Sequence, residues 1–142
     1  MAEKVLIVDD DKAFLAILSE RMQHRGMEVA TAESAAAALE LMEKESYDAV
    51  LLDLMMPEMG GIEALQIMRK KQPEIQVIFL TGHPSVSKGV EAIKLGAMDF
   101  IPKPVDMNEL TEKIKHAKAS RMILVEKRTQ EKIKKILTDK SW

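Results

Sequence analysis

Apolar and polar positions alternate along this chain in two rhythms, one of short unbroken runs and one of helical spacing. Lys4–Val8 is an apolar run of strand type. Lys12–Arg25 then carries Ala13, Phe14, Ile17, Leu18 and Met22 at helical spacing before Gly26 stops it. Met27–Thr31 predicts a second strand, and Ser34–Lys44 a second helix, with Ser34 placed to cap the run Ala35–Ala38 and Leu39, Leu41 and Met42 behind it. Ala49–Leu52 is a third apolar run that ends abruptly in Asp53, as suits a strand buried on both faces of a parallel sheet. A loop through Pro57, Gly60 and Gly61 follows. Beyond it the spacing predicts a helix over Ile62–Lys71, a strand over Ile75–Leu80, a loop Thr81-Gly82-His83-Pro84 and a helix over Ser85–Leu95 closed by Gly96. Met98–Ile101 is the fifth strand. Pro102 at its end lacks the N–H a central ladder needs, which places this strand at a sheet edge. A last helix starts near Asp106 and runs through most of the tail. Five β-α units in order predict an α/β domain, a parallel sheet covered by helices on both sides.

That architecture gathers residues that are far apart in sequence. Asp9 and Asp10 follow the first strand, Asp53 ends the third, Thr81 follows the fourth and Lys103 the fifth. All stand at the C-terminal ends of strands, along the crevice where open α/β sheets bind ligands. Each has a local explanation: a helix cap at Asp10 or Asp11, a turn residue at Thr81, a surface lysine at Lys103. Together they make chance a poor account. Two like charges about 4 Å apart repel by roughly 4 kcal/mol at an effective dielectric of 20, so three carboxylates need cations or a retained proton. Lys103 supplies one positive charge. An oxygen-rich site with few protein ligands suits Mg²⁺ rather than Zn²⁺. Beside a lysine and a hydroxyl, such a site is equipped to receive a phosphoryl group, and an aspartate can act as the nucleophile.

Composition narrows the setting. With 142 residues the chain fits one domain with a real core, and 46% hydrophobic with 31% charged residues describes a globular protein rather than a disordered one. The absence of Cys excludes disulfides and thiolate chemistry and fits a reducing compartment. No apolar run approaches the roughly 18 residues of a membrane helix. Met1-Ala2-Glu3-Lys4 leads directly into the first strand, which is no signal peptide, so a cytoplasmic location is expected. The net charge of −2 divides unevenly: residues 1–102 carry 10 Lys/Arg against 17 Asp/Glu, net −7, and residues 103–142 carry 11 against 6, net +5. The basic tail lacks the interleaved aromatics of a single-strand binder and has no room for a helix-turn-helix, so direct nucleic-acid binding is not expected.

The motifs Val8-Asp9-Asp10, Asp53-Leu54-Met55-Met56-Pro57 with Gly61, Thr81-Gly82, and Gly96 through Pro104 resemble, in order and spacing over about residues 3–120, the receiver domain of two-component response regulators. The resemblance implies a doubly wound, flavodoxin-like sheet of order 2-1-3-4-5 with a C-terminal helical extension. It implies that Asp53 takes a phosphoryl group from a phosphohistidine on a sensor histidine kinase or phosphotransfer protein. Asp9, Asp10, Asp53 and the backbone carbonyl of Met55 would hold Mg²⁺, and Thr81 and Lys103 would hold the phosphoryl oxygens. Thr81 and Phe100 match the switch pair, the Lys103–Pro104 bond matches one usually cis, and the face of the fourth helix, fifth strand and fifth helix would serve an output partner or a homodimer. Phosphorylation adds about −1.5 to −2 charge units, and Gly82 and Gly89 would leave the switch region pliable. Slow self-phosphorylation and self-dephosphorylation would not make the domain an enzyme in the ordinary sense.

Three positions vary from the usual pattern. Gly60 stands where the family often has Asp, with little effect expected, while Met55 and His83 occupy positions that tune hydrolysis of the aspartyl phosphate. Methionine cannot orient water as an amide can, so slow loss of the phosphoryl group is expected. A phosphatase with an Asp nucleophile is the nearest rival, but such enzymes need a second Asp where Met55 stands. No nucleotide-binding glycine loop is present. His24, His83 and His116 read as surface or loop residues, and the 11 Met residues as adaptable core filler, with Met55, Met56 and Met59 as the exceptions to watch. The expected division is a receiver over 1–120 and a helical extension or linker over 121–142. In the extension, Met122, Val125, Ile133, Ile136 and Leu137 form an incomplete apolar stripe. A solvated extension, a dimerising or partner-docking helix, and a linker within a larger transcriptional regulator or hybrid kinase all fit that stripe.

Overall fold

The computed structural model describes residues 2–82 and 91–139. Its five strands are β1 (Lys4–Val8), β2 (Glu28–Ala32), β3 (Ala49–Asp53), β4 (Val77–Thr81) and β5 (Asp99–Pro102). They form one parallel sheet in the order β2-β1-β3-β4-β5. Between them lie α1 (Lys12–His24), α2 (Ala35–Lys44), α3 (Gly61–Lys71) and α4 (residues 91–94), and α5 (Met107–Asp139) closes the described chain. The expected fourth helix from Ser85, with His83 and Gly89, lies largely outside the described residues; its end at Leu95 and Gly96 is as expected, Gly96 having a φ of +107°.

Burial follows position in the sheet. Every residue of β3 and β4 is buried, whereas the edge strands β2 and β5 are partly exposed, and Pro102 sits on the edge that its missing N–H requires. Alternation along the strands builds two cores. Leu6, Val8, Val50, Leu52, Val77 and Phe79 pack under α2, α3 and α4, while Val5, Ile7, Leu51, Ile78, Leu80 and Ile101 pack under α1 and α5.

Helix starts are governed by side-chain caps. Asp11 Oδ1 accepts the Phe14 amide at 3.1 Å and Ser34 Oγ accepts the Ala37 amide at 3.2 Å. Gly60 is the N-cap of α3 and offers no side-chain bond; glycine is only a few tenths of a kcal/mol worse than the best caps, so Asp is dispensable there. Three strands begin one or two residues later than the apolar pattern predicts. For β2 and β4 the reason is local bonding: the Met27 amide is taken by Met22 O at the end of α1, and the Ile75 amide by Gln72 O in a turn.

The last helix is a single rod of 33 residues, about 50 Å at 1.5 Å per residue. Leu110, Ile114 and Ala117 are its buried face, and the same stripe continues past the sheet as Arg121 and Arg128. Arg121 lies 3.5 Å from Asp48, and Arg128 pairs with Glu74. Ile123, Ile133 and Leu137 on its other faces are exposed. No helix among the described residues is long and apolar enough to cross a membrane.

Candidate functional site

Five of the residues singled out by sequence stand at the C-terminal rim of the sheet. Asp9 leaves β1 fully buried, its amide bonded to Ala32 O at 3.1 Å, and its Oδ1 accepts the Asp11 amide at 2.9 Å. Asp10 beside it is exposed. Asp53, 7% exposed, ends β3, and its Oδ1 accepts the Met55 amide at 3.3 Å. A carboxylate oxygen from each of Asp9, Asp10 and Asp53 lies within 4.8 Å of the others, and among the described residues no second group of three such ligands occurs. Thr81 is buried at the end of β4.

Lys103 follows β5, its amide held by Thr81 O at 2.8 Å, and its Nζ reaches Asp9 Oδ2 at 2.6 Å. The Lys103–Pro104 peptide is cis. The lysine is therefore engaged by the acid at the bottom of the crevice.

The electrostatics follow from this packing. Burial, and after it the Asp9 charge, raise the Asp53 carboxyl to about 6 from an ordinary 3.8. Lys103 and the Met55 amide oppose that rise without cancelling it, and Asp10 adds a smaller upward push. Three hard oxygen donors with surplus negative charge fit a small divalent cation such as Mg²⁺.

Gly61 is as much a part of the site as the acids. A Cβ there would lie 2.6 Å from Asp53 O, 2.8 Å from Phe79 Cε1 and 2.9 Å from Leu54 Cα, so only glycine lets α3 start this close to the end of β3. Phe100 is opposite Phe79 in the β4–β5 register and packs, half-buried, on the core beneath α3 and α4. Met55 is 60% exposed above the crevice, whereas Met56 and Met59 turn into the core. His24 is paired at 3.9 Å with Glu20 on the exposed face of α1, and His116 is exposed on α5; neither joins the rim, and His83 lies outside the described residues.

One neighbour went unnoticed at the level of sequence. The Phe14 ring, in the first turn of α1, has the Lys103 Nζ 4.2 Å from its centroid. Its helical spacing marks it as a core residue, and nothing in the pattern points across 89 positions to a lysine.

Comparison with known proteins agrees with this geometry. Residues 5–115 match the family model for the response regulator receiver domain. The chain is 34% identical over 107 residues to the photosynthetic apparatus regulatory protein RegA of Rhodobacter capsulatus, covering 75% of this chain and 58% of that protein. It is 40% identical over 113 residues to the transcriptional regulatory protein GlrR of Escherichia coli, covering 80% of this chain and 26% of that one. A response regulator receiver domain structure from Clostridium thermocellum matches with a TM-score of 0.82 and 32% identity over 87% of this chain and 99% of that chain. The strand order, the acids gathered at one rim and these likenesses converge, and the chain belongs to the response regulator receiver domain family.

Proposed function

We propose that this receiver accepts a phosphoryl group on Asp53 from a phosphohistidine of a sensor histidine kinase or phosphotransfer protein, and thereby controls an output partner. The observation that carries the reading is the meeting of Asp9, Asp10 and Asp53 within 4.8 Å, with Lys103 beside them. An Asp53 oxygen attacks the phosphorus, the bond from phosphorus to the histidine nitrogen breaks with its electrons returning to the imidazole, and an acyl phosphate results. Asp53 must be ionised to attack, and a carboxyl held at about 6 is largely ionised at neutral pH. The Lys103 ammonium and the Thr81 hydroxyl donate to the phosphoryl oxygens. Asp9, Asp10, Asp53 and the Met55 carbonyl would hold Mg²⁺. When bound, that ion supplies the positive charge that brings an anionic nucleophile and an anionic phosphoryl group together.

The transferred group brings new negative charge and acceptor oxygens to the end of β3. Thr81 moves towards them, Phe100 takes the space it leaves, and the face of α4, β5 and α5 changes towards its output partner or a second copy of the chain. In this reading the receiver occupies residues 1–120, and 121–142 form a helical extension or linker beyond it. The chain spans 58% of RegA and about a quarter of GlrR, so the regulation those proteins perform belongs to them as wholes.

The test is incubation with acetyl phosphate and Mg²⁺, read as the gain of one phosphoryl mass. Wild type should label and Asp53→Asn should not; labelling of the variant at the wild-type level would sink the assignment. Exposed Met55 cannot orient an attacking water, so Met55→Asn should lose the phosphoryl group faster; equal or slower decay counts against that role. Solution mass of the full chain and of a chain ending at Ser120, with and without a phosphoryl mimic and Mg²⁺, distinguishes phosphorylation-dependent dimers from a monomeric carrier.

A further inference from the structure

The Lys103 ammonium has two neighbours of opposite character. Asp9 Oδ2 lies at 2.6 Å and the Phe14 ring centroid at 4.2 Å. Phe14 is also tied to the acidic loop, since its amide donates to Asp11 Oδ1 at 3.1 Å and the Asp11 amide donates to Asp9 Oδ1 at 2.9 Å. Ring and acid are therefore held by one short run of backbone, residues 9–14, and the Lys103 ammonium contacts both. The ring is half-buried, packing beside the core of Leu15 and Leu18 rather than within it. It also walls a cavity of about 440 Å³ that Lys103, Val105 and Met107 share.

From this arrangement we infer that Phe14 is a positioning residue for Lys103, holding the ammonium at the crevice while it exchanges the Asp9 carboxylate for a phosphoryl oxygen on Asp53. The inference rests on the phospho-acceptor reading above. Its physical basis is the difference between the two attractions. A carboxylate holds a lysine by taking one of its three donors and opposing its charge. An aromatic face attracts the same cation through its quadrupole and accepts no strong hydrogen bond, so the N–H donors stay available for an incoming oxygen. The lysine stem is long and rotamer-rich, and a ring on one side narrows the set of conformers it samples when the Asp9 contact is given up. Leucine at position 14 would keep apolar cover and lose the attraction.

The experiment measures the rate of acetyl phosphate labelling for wild type, Phe14→Leu and Phe14→Tyr, each also in a Lys103→Met background. Phe14→Leu should slow labelling about fivefold, the factor a partly screened cation–π contact supplies, and Phe14→Tyr should keep the wild-type rate. In the Lys103→Met background, Phe14→Leu should add no further loss. A wild-type rate for Phe14→Leu, a tyrosine variant as slow as the leucine one, or an equal loss without the lysine would each overturn the role. A second readout needs no labelling: proton NMR of the Lys103 ε-methylene should show an upfield ring-current shift in wild type that disappears in Phe14→Leu. Wild type that never labels defeats the acceptor reading and leaves this contact tested by NMR. Wild type that labels beside an unimpaired Phe14→Leu defeats only the positioning role.

Discussion

The third strand carries an aspartate at each end, and the two have opposite surroundings. Asp48, ahead of β3, accepts the Lys4 amide at 2.8 Å and faces Arg121 at 3.5 Å. Its neighbours at that rim are matched too: Glu45 with Lys4 at 3.4 Å and Glu74 with Arg128. Asp53, at the other end of β3, meets Asp9 and Asp10 instead, and the positive charge opposing them belongs to a lysine already 2.6 Å from Asp9. One rim thus has its charges balanced within the fold, which serves stability. The other keeps an excess of negative charge that something outside the polypeptide has to balance. A fold tolerates that imbalance at the end of a buried strand because the rest of the strand is fully packed.

The comparison breaks most visibly at Lys103. Replacing it by Met leaves Asp9, fully buried, without its ion-pair partner, and an uncompensated buried charge costs about 3–5 kcal/mol. Urea unfolding with a chelator present should show that loss, and Mg²⁺ should restore part of it. A loss under about 1 kcal/mol would mean that Asp9 does not depend on the lysine.

Next in size is Asp53→Asn, whose sign is opposite. The folded protein holds the Asp53 proton up to about pH 6, against 3.8 for an ordinary aspartate. Its contribution to stability is therefore full below about pH 4 and is lost as pH rises through 6. At pH 8 the native state carries an ionised acid it would rather have neutral. Asn keeps the acceptor for the Met55 amide and removes the charge, so without Mg²⁺ it should stabilise the protein by about 3 kcal/mol at pH 8 and by well under about 1 kcal/mol at pH 4. A gain equal at both pH values would place its origin in packing rather than charge.

The two rims were not equally legible in the sequence. The upper one could be read because parallel topology brings strand ends together, so an acid after Val8, an acid after Leu52 and a lysine after Pro102 meet whatever lies between them. Which acid the lysine would choose was not legible, since that depends on Asp9 being the buried one of an adjacent pair. Nor was the Phe14 contact, because a ring at helical spacing looks like core. The lower rim was hidden for a different reason. The buried stripe of α5 passes from Leu110, Ile114 and Ala117 to Arg121 and Arg128, and a search for apolar periodicity stops where arginines take over. Met122, Ile133 and Leu137, which sequence reading picked out in the tail, lie on exposed faces instead.

The smallest effect belongs to that lower rim and sharpens the contrast most. Glu74 is 15% exposed at its side chain and Arg128 48%, so their pair is partly screened. A double-mutant cycle of Glu74→Gln and Arg128→Gln should give a coupling of about 0.5 kcal/mol. Amides of α5 beyond Ala119 should exchange with solvent about twofold faster in either single variant, because a helix leaving its domain frays once its anchor is loosened. Arg121, with its side chain 20% exposed against Asp48 at 14%, should show the stronger coupling of the two pairs, about 1 kcal/mol. Labelling of Asp53 by acetyl phosphate should be unchanged in every one of these variants, since a matched charge lost at one end of β3 leaves the unmatched charges at the other untouched. A changed labelling rate in Arg121→Gln would mean that the two ends of the strand exchange free energy through the sheet, with α5 as the lever between them.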